Sequence, residues 1–401
     1  MKPKLHYYNP GHETAALQGT ANYTPPANVQ KMLGELALLP VWYADKGDYV
    51  YTEKNVQPNF LSLLPEEIRP EVTIVSKEAL HLHASSFPEM QAAPWGLSLQ
   101  STKFYKNLIS RYNVTIELPV WKDDYIRLTG RQTGAACFKK IGQLLPDASF
   151  PSFPLFFSKL PDIEAWLYEH TGASVIKTPY SSSGRGLLWL DDGTLKDKDR
   201  NWIKGALKKQ GSVSIEPVLD ASLNFAMEFF INEQGNVRYE GLSVFETSPK
   251  GAYRGNRLMA QEDLENVVSF SIGKALFQQV KEAAAEAIRE IYAGYSGYIG
   301  IDMLVYKTTK GQNALHPCIE VNMRYTMGMV AIKLVEKYIH PDAKGIFNLL
   351  YDVEPEIVAN AHRKNQKEYP LTFKDGKLRS GYLSLCPVTK QTHYIAYVII
   401  Q

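Results

Sequence analysis

The sequence predicts an α/β protein of mixed α+β type with more than one domain, and three observations carry that prediction. At 401 residues the chain is long enough for two or three domains. Apolar residues make up 45% and charged residues 21%, an ordinary globular balance that allows a core of normal size. Short apolar runs of strand length also alternate with stretches of helical periodicity, first in the opening hundred residues and again from about residue 160.

The same composition excludes several classes. A net charge of +2 without a basic or acidic tail argues against a polyanion partner, so no nucleic acid is expected. Cys137, Cys318 and Cys386 are far apart and odd in number, which argues against a disulfide framework or a zinc site. Cys318 reads as a small buried hydrophobe. The opening MKPKLHYYNPGHE lacks the apolar stretch of a signal peptide, and no apolar run reaches bilayer-spanning length. The expectation is a cytoplasmic, reduced protein without membrane contact; its oligomeric state is open, and a homodimer is compatible with it.

In chain order, Leu5–Tyr8, Pro40–Tyr43 and Val72–Val75 are predicted strands, with helical stretches around Val29–Leu38 and Pro65–Ile68. His12 and Glu13 follow Gly11 at the end of the first strand, where open α/β sheets place ligand contacts; capping the next helix explains them equally well. Ala92–Leu99 is a predicted loop. Ser101 or Thr102 then caps a helix carrying Phe104, Leu108 and Ile109 on one side. Lys103 and Lys106 project from its first turns, and taken alone either is ordinary surface charge.

Gly134–Leu145 is a predicted helix, Asp147–Leu155 a surface connection, and Leu160, Ile163 and Leu167 the apolar stripe of another helix. A strand ending at Lys177 leads into Pro179–Gly186, a loop containing Ser181, Ser182, Ser183, Gly184 and Gly186. Such a loop brings N–H and hydroxyl donors close to phosphate oxygens, and Lys177 adds a point charge. A plain surface hairpin is the competing reading. Neither a P-loop nor a dinucleotide fingerprint is present, because Gly186 is followed neither by Lys-Ser/Thr nor by a third spaced glycine. Ser212–Val218 is an apolar strand with Glu216 near its end. Glu228 lies inside FAMEFFI, where a charge is costly unless it is partnered or faces outward. After a strand at Val237–Val244, Lys250, Arg254, Asn256 and Arg257 form a predicted basic loop, with glycines near Arg254. Ser269–Tyr292 is the clearest predicted helix, with Gly294 as its stop.

The stretch from Gly297 to Gly328 organises the rest. Two apolar runs, Tyr298–Tyr306 and Leu315–Val321, predict a β-hairpin. Asp302 lies in the first run and Glu320 in the second, and Asn322, two residues on, shares a strand face with Glu320. Oxygen ligands without His or Cys suit Mg²⁺ or Mn²⁺. Arg324 puts a cation beside them. Each acid alone reads as a solvated edge residue; three oxygen-bearing groups and an Arg in phase argue otherwise. After Gly328 a helix is predicted, then helix and linker over residues 340–355, and finally a terminal β-hairpin.

Gly297-x-x-Gly300-x-Asp302 followed by Glu320-x-Asn322-x-Arg324 resembles the metal-binding end of the ATP-grasp superfamily. The upstream lysines, Gly/Ser loop and strand glutamate occur in the family's order, so the resemblance spans roughly Thr102 to Gly328. It implies an ATP-grasp fold of two α+β lobes: a small α/β domain over 1–100, a grasp domain over 101–345 divided near 215/216, and a C-terminal extension over 346–401. It further implies that Lys103, preferred over Lys106, and Lys177 contact the ATP phosphates under the Ser181–Gly186 loop. Glu216, the Pro217 carbonyl and the Leu219 N–H would read adenine, and Asn224 and Glu228 the ribose. Arg254 would face the acceptor, Asp302, Glu320 and Asn322 would hold Mg²⁺ or Mn²⁺, and Arg324 would steady the transferring group. The implied activity is ADP-forming ligation of a small-molecule carboxylate to an amine or thiol. A kinase on the same fold, a non-catalytic nucleotide-binding module and a ligase acting on a polypeptide end are the rival readings.

Overall fold

The computed structural model describes residues 2–53, 59–181, 186–249 and 251–401. They form two compact units. Met1–Lys122, Arg254–Leu264 and Arg324–Gln401 make the first; Asp123–Tyr253 and Glu265–Met323 make the second.

The first unit opens with a parallel sheet of β1 (Lys4–Tyr7), β2 (Tyr49–Thr52), β3 (Thr73–Ser76), β4 (Met90–Pro94) and β5 (Ile116–Glu117) in the order β3-β2-β1-β4-β5. Parallel strands need crossovers, and α1 (His12–Gln18), α2 (Ala27–Glu35), α3 (Lys77–His83) and α4 (Leu99–Tyr112) lie in them. Leu5, Tyr51, Val75, Met90, Tyr105 and Leu108 form the core, and the Tyr105 hydroxyl donates to the Leu5 carbonyl at 2.9 Å. Three expectations are corrected here. Pro40–Tyr43 is a 3-10 turn over Leu39–Trp42 rather than a strand: Pro40 has no N–H to give a ladder, and the Val41 and Tyr43 amides bond back to Leu38 and Pro40. The cap of α4 is Ser98, in a reciprocal pairing with Ser101, and the predicted loop at 92–99 begins as β4. Because β5 completes the sheet, the helix bearing Lys103 belongs to the first unit, and the compact units do not divide at residue 100.

The second unit begins with α5 (Asp124–Thr129) and α6 (Arg131–Leu144). Next come β6 (Leu155–Phe157), α7 (Leu160–Glu169), β7 (Ser174–Lys177), β8 (Leu187–Leu190), α8 (Asp197–Gln210) and β9 (Val213–Pro217). Its smaller sheet has the antiparallel order β6-β9-β7-β8, and Ile163, Ile176, Ile203, Val213 and Ile215 pack α7 and α8 onto it. β10 (Asp220–Ile231) and β11 (Val237–Thr247) follow. β12 (Tyr253–Leu258) returns the chain to the first unit at Arg254, so Arg254, Asn256 and Arg257 lie in a strand rather than a loop. Gly255 allows this pairing, since a Cβ there would sit 2.2 Å from the Phe347 carbonyl oxygen. The predicted long helix is two, α9 (Gln261–Ile272) and α10 (Lys274–Ile291), broken at Gly273 with φ 88°. Phe277, Val280, Ala284 and Ile288 of α10 are buried, with α6 as a neighbour. β13 (Gly297–Lys307) and β14 (Asn313–Asn322) form the predicted hairpin, in the antiparallel order β14-β13-β10-β11.

The chain ends in the first unit with α11 (Met327–Lys337), β15 (Gly345–Tyr351), α12 (Pro355–Glu368), β16 (Thr372–Lys374), β17 (Lys377–Ser384) and β18 (Tyr394–Ile400). The stretch expected to be helix and linker is therefore largely strand β15, which pairs with β12 and β18. The terminal hairpin is present as β17 and β18, but it is not an appendage. Trp42 Nε1 donates to the Leu385 carbonyl at 2.6 Å, and Glu35 Oε2 accepts from the His393 and Tyr394 amides. Leu39, Trp42, Leu258, Leu334, Phe347 and Val398 share one core. Among the described residues no helix is long and apolar enough to cross a membrane.

Candidate active site

Register fixes the heart of the second unit. Asp302 lies opposite Glu320, and Gly300 opposite Asn322. On the other side of β13, Ala226 faces Asp302 and Glu228 faces Gly300. Residues opposite one another share a sheet face, so two cross-strand rows are built: Ala226–Asp302–Glu320 and Glu228–Gly300–Asn322. Four oxygen-bearing side chains stand on this face, with only Ala226 and Gly300 between them. Asn322 Nδ2 donates to Asp302 Oδ2 at 3.1 Å. Glu228 is 2% exposed, which removes the outward-facing reading. The ladder slips just beyond Asp302 in β13, where Pro317 of β14 has no N–H to offer.

A residue that the sequence reading missed reaches this face. Arg131 is the first residue of α6; its Nη2 lies 3.1 Å from Glu320 Oε1, and the same nitrogen donates to Ser181 Oγ at 3.2 Å. Arg131 Nε donates to the Thr178 carbonyl at 3.0 Å. One guanidinium therefore ties the Glu320 carboxylate to the segment following β7. The signal in the sequence was an arginine at a helix N-terminus, where the backbone dipole disfavours a cation and an external anion has to hold it.

Lys177 does end β7, but its ammonium is paired with Glu216, and both are buried. Burial alone would raise the Glu216 carboxyl; the charge and hydrogen bond of Lys177, helped by His316 and Arg131, bring it below its ordinary value. His316 Nε2 lies 3.9 Å from Glu216, and burial drives this imidazole down to about 4, so it is neutral at pH 7. Arg131, Lys177, Glu216, His316 and Cys318 line a cavity of about 20 Å³, room for roughly one water. In this structure the two residues expected to touch phosphate and adenine thus hold each other. Pro217 is exposed and pairs with Ser174; Leu219 is half-buried, and Asn224 is half-buried on the same strand as Glu228. Cys318 is buried as expected. Its Sγ donates to the Gly134 carbonyl at 3.4 Å, the neighbouring Cys137 and burial push its thiol well up, and both cysteines are free thiols.

Of the Gly/Ser loop, Ser181 and Gly186 are placed and its two ends meet: the Thr178 amide donates to the Gly186 carbonyl at 2.9 Å. A Cβ at Gly186 would lie 2.2 Å from Thr178 Oγ1, so only glycine fits. Ser182, Ser183 and Gly184, with Lys250, lie outside the described residues.

Three expected cations belong to the first unit. Lys103 is exposed on α4 and donates to Asn22. Arg254 is exposed in β12. Arg324 Nε pairs with Glu13 Oε1 at 2.5 Å, and its Nη1 donates to the Tyr325 carbonyl at 3.0 Å. Lys177, Glu216 and the oxygen-bearing face belong to the second unit.

The donor set on that face is hard oxygen throughout: the carboxylates of Glu228, Asp302 and Glu320 and the amide of Asn322. Among the described residues no three His, Cys, Asp or Glu side chains are grouped to hold a metal. A protein cage is therefore not what the face offers. It fits Mg²⁺, which keeps several waters and takes its remaining oxygens from phosphate.

No protein-family model matches the sequence, and no curated protein matches it. Solved structures do match its fold. N5-carboxyaminoimidazole synthetase from Staphylococcus aureus, complexed with ADP, is 12% identical with a TM-score of 0.50, covering 100% of this chain and 94% of that one. An ADP complex of N5-carboxyaminoimidazole ribonucleotide synthetase is 10% identical with a TM-score of 0.50, at 100% and 93% coverage. The biotin carboxylase domain of the Hydrogenobacter thermophilus 2-oxoglutarate carboxylase, in complex with MgADP, ADP and bicarbonate, is 10% identical with a TM-score of 0.50, at 100% and 87% coverage. This likeness, together with the ordered motifs and the register of the hairpin, shows that the chain has the ATP-grasp fold.

Proposed function

We propose that the protein is an ADP-forming ligase that activates a small-molecule carboxylate with Mg-ATP and joins it to an amine. The observation that carries this reading is the face bearing Glu228, Asp302, Glu320 and Asn322, in two adjacent rows on the ATP-grasp fold. The structurally similar enzymes, which are complexed with ADP and in one case MgADP, support it.

Asp302, Glu320 and Asn322 would hold Mg²⁺, whose chemistry when bound is to neutralise phosphate charge. Arg131 replaces Lys103 as the cation best placed to meet phosphate, because it stands beside Glu320 and Ser181. Lys177 joins it once the Glu216 pair opens to the nucleotide. In the reaction a carboxylate oxygen attacks the γ-phosphorus and the bond to the ADP oxygen breaks, leaving an acyl phosphate. Amine attack at the acyl carbon then expels phosphate, and the amine's proton passes to solvent. Cytoplasmic residence is part of the proposal, and the oligomeric state is left open.

Incubation with Mg-ATP and pooled carboxylates and amines, followed by nucleotide analysis, tests this. ADP and phosphate that appear only with both pools present support ligation. ADP formed with a hydroxyl acceptor alone indicates a kinase, and AMP with pyrophosphate contradicts both readings.

A further inference from the structure

In parallel sheets ligands gather outside the carboxyl ends of the strands, where successive connections leave to opposite sides. In the first unit that point lies between β1 and β4: the chain runs outward from β1 to β2 and β3, then crosses to the far side of β1 to lay down β4. The segments after these two strands are locked together, since Asn9 Nδ2 donates to the Gly96 carbonyl at 2.7 Å and Asn9 Oδ1 accepts from the Gly96 amide at 3.2 Å. Gly96 presses on His12; a Cβ there would lie 2.3 Å from the ring.

His12 is 1% exposed, and among the described residues neither of its buried ring nitrogens has a partner. Glu13 is 7% exposed; Arg324 holds its Oε1, while its buried Oε2 has no partner among the described residues. Such atoms are costly when left unpaired, and native proteins keep few of them. Burial brings His12 down to about 4, so at pH 7 the ring offers one donor and one acceptor. Burial would raise the Glu13 carboxyl, but the charge of Arg324 brings it below its ordinary value, so it is ionised and accepts only. The missing partner must donate to a carboxylate oxygen and to an imidazole nitrogen at once, which the two N–H groups of an amine can do. Arg324 beside it disfavours a second full positive charge, which suits an amine in its neutral, nucleophilic form.

We propose that His12 and Glu13 form the binding site for an amine, the nucleophile of the ligation. The role rests on the ligase reading above, whereas the geometry rests on the first unit alone.

Calorimetric and thermal-shift titrations of the full chain with L-amino acids and simple primary amines, each beside its N-acetyl derivative, test the site. Mg-ATP is titrated into the same preparation. The expected result is binding of at least one free amine and of none of the acetylated partners, with Kd raised about tenfold or more in Glu13→Gln and in His12→Phe. If Glu13→Gln fails to fold through its loss at Arg324, a folded His12→Phe carries the comparison. Equal binding of acetylated compounds overturns the site, as does an unchanged Kd in folded His12→Phe. Mg-ATP binding with no response to any amine also overturns it and leaves the nucleotide reading standing. Amine binding without Mg-ATP binding keeps the site and removes the ligase reading.

Discussion

The oxygen-bearing face of the second unit and the crevice of the first both bury charge, yet they are assembled in different ways. The face is made by one hairpin and the strand beside it, so its spacing is written into short motifs. The crevice joins His12 and Glu13 near the start of the chain, Gly96 after the fourth strand, and Arg324 beyond the hairpin. Strand periodicity reaches the first and not the second. The face also balances its acids with Arg131, whereas the crevice leaves polar atoms without partners.

The largest effect expected is in the second unit. Lys177→Met leaves Glu216 buried without its cation, and the loss is about 3 kcal/mol or more in chemical denaturation. Adding Glu216→Leu should restore most of it, and a double variant as unstable as the sum of the singles would show that the two charges do not act on each other. Arg131→Ala should lower Mg-ATP turnover about 100-fold, from loss of a positioned cation; activity within twofold of wild type would return the phosphate role to another residue.

Acid sensitivity probes both regions with one curve. His12 in the first unit and His316 in the second are each held near 4, against an ordinary 6.5. Their folded values are depressed, so the stability is fully present above pH 6.5 and is lost as pH falls toward 4, by up to about 1.4 kcal/mol per pH unit for each. Unfolding free energies measured between pH 7 and 4.5 should show this slope, and His316→Phe should reduce it by one proton's share; a flat profile contradicts the buried neutral state of both rings. The smallest effect belongs to Lys103→Ala, expected to change turnover by less than about twofold because Lys103 is exposed and bonded to Asn22. A loss as large as that of Arg131→Ala would reverse the exchange of roles.

These contrasts explain what was legible. The shared face of Asp302, Glu320 and Asn322 could be read because one hairpin with period-two side chains carries them. The placing of Lys103 in the first unit was not legible, because its helix is the crossover from β4 to β5 and that parallel pairing is long-range. Arg131 was passed over since its partners, Thr178, Ser181 and Glu320, lie far away in sequence. Pro40–Tyr43 and the 345–351 segment misled in opposite senses. The former is apolar because it is buried on all sides in a 3-10 turn, and the latter is a strand only because β12 and β18 are there to pair with it. Nor could spacing show that Glu35 and Trp42 bind the C-terminal strands into the first unit.

The central claim is that the face carrying Asp302 and Glu320 binds the metal of an ATP site. Calorimetric titration of ATP with and without Mg²⁺ into wild type, Asp302→Ala and Glu320→Ala tests it most directly. The account predicts Mg-dependent binding in wild type and loss of that dependence in both folded variants. Equal Mg-dependent binding in all three proteins would contradict it.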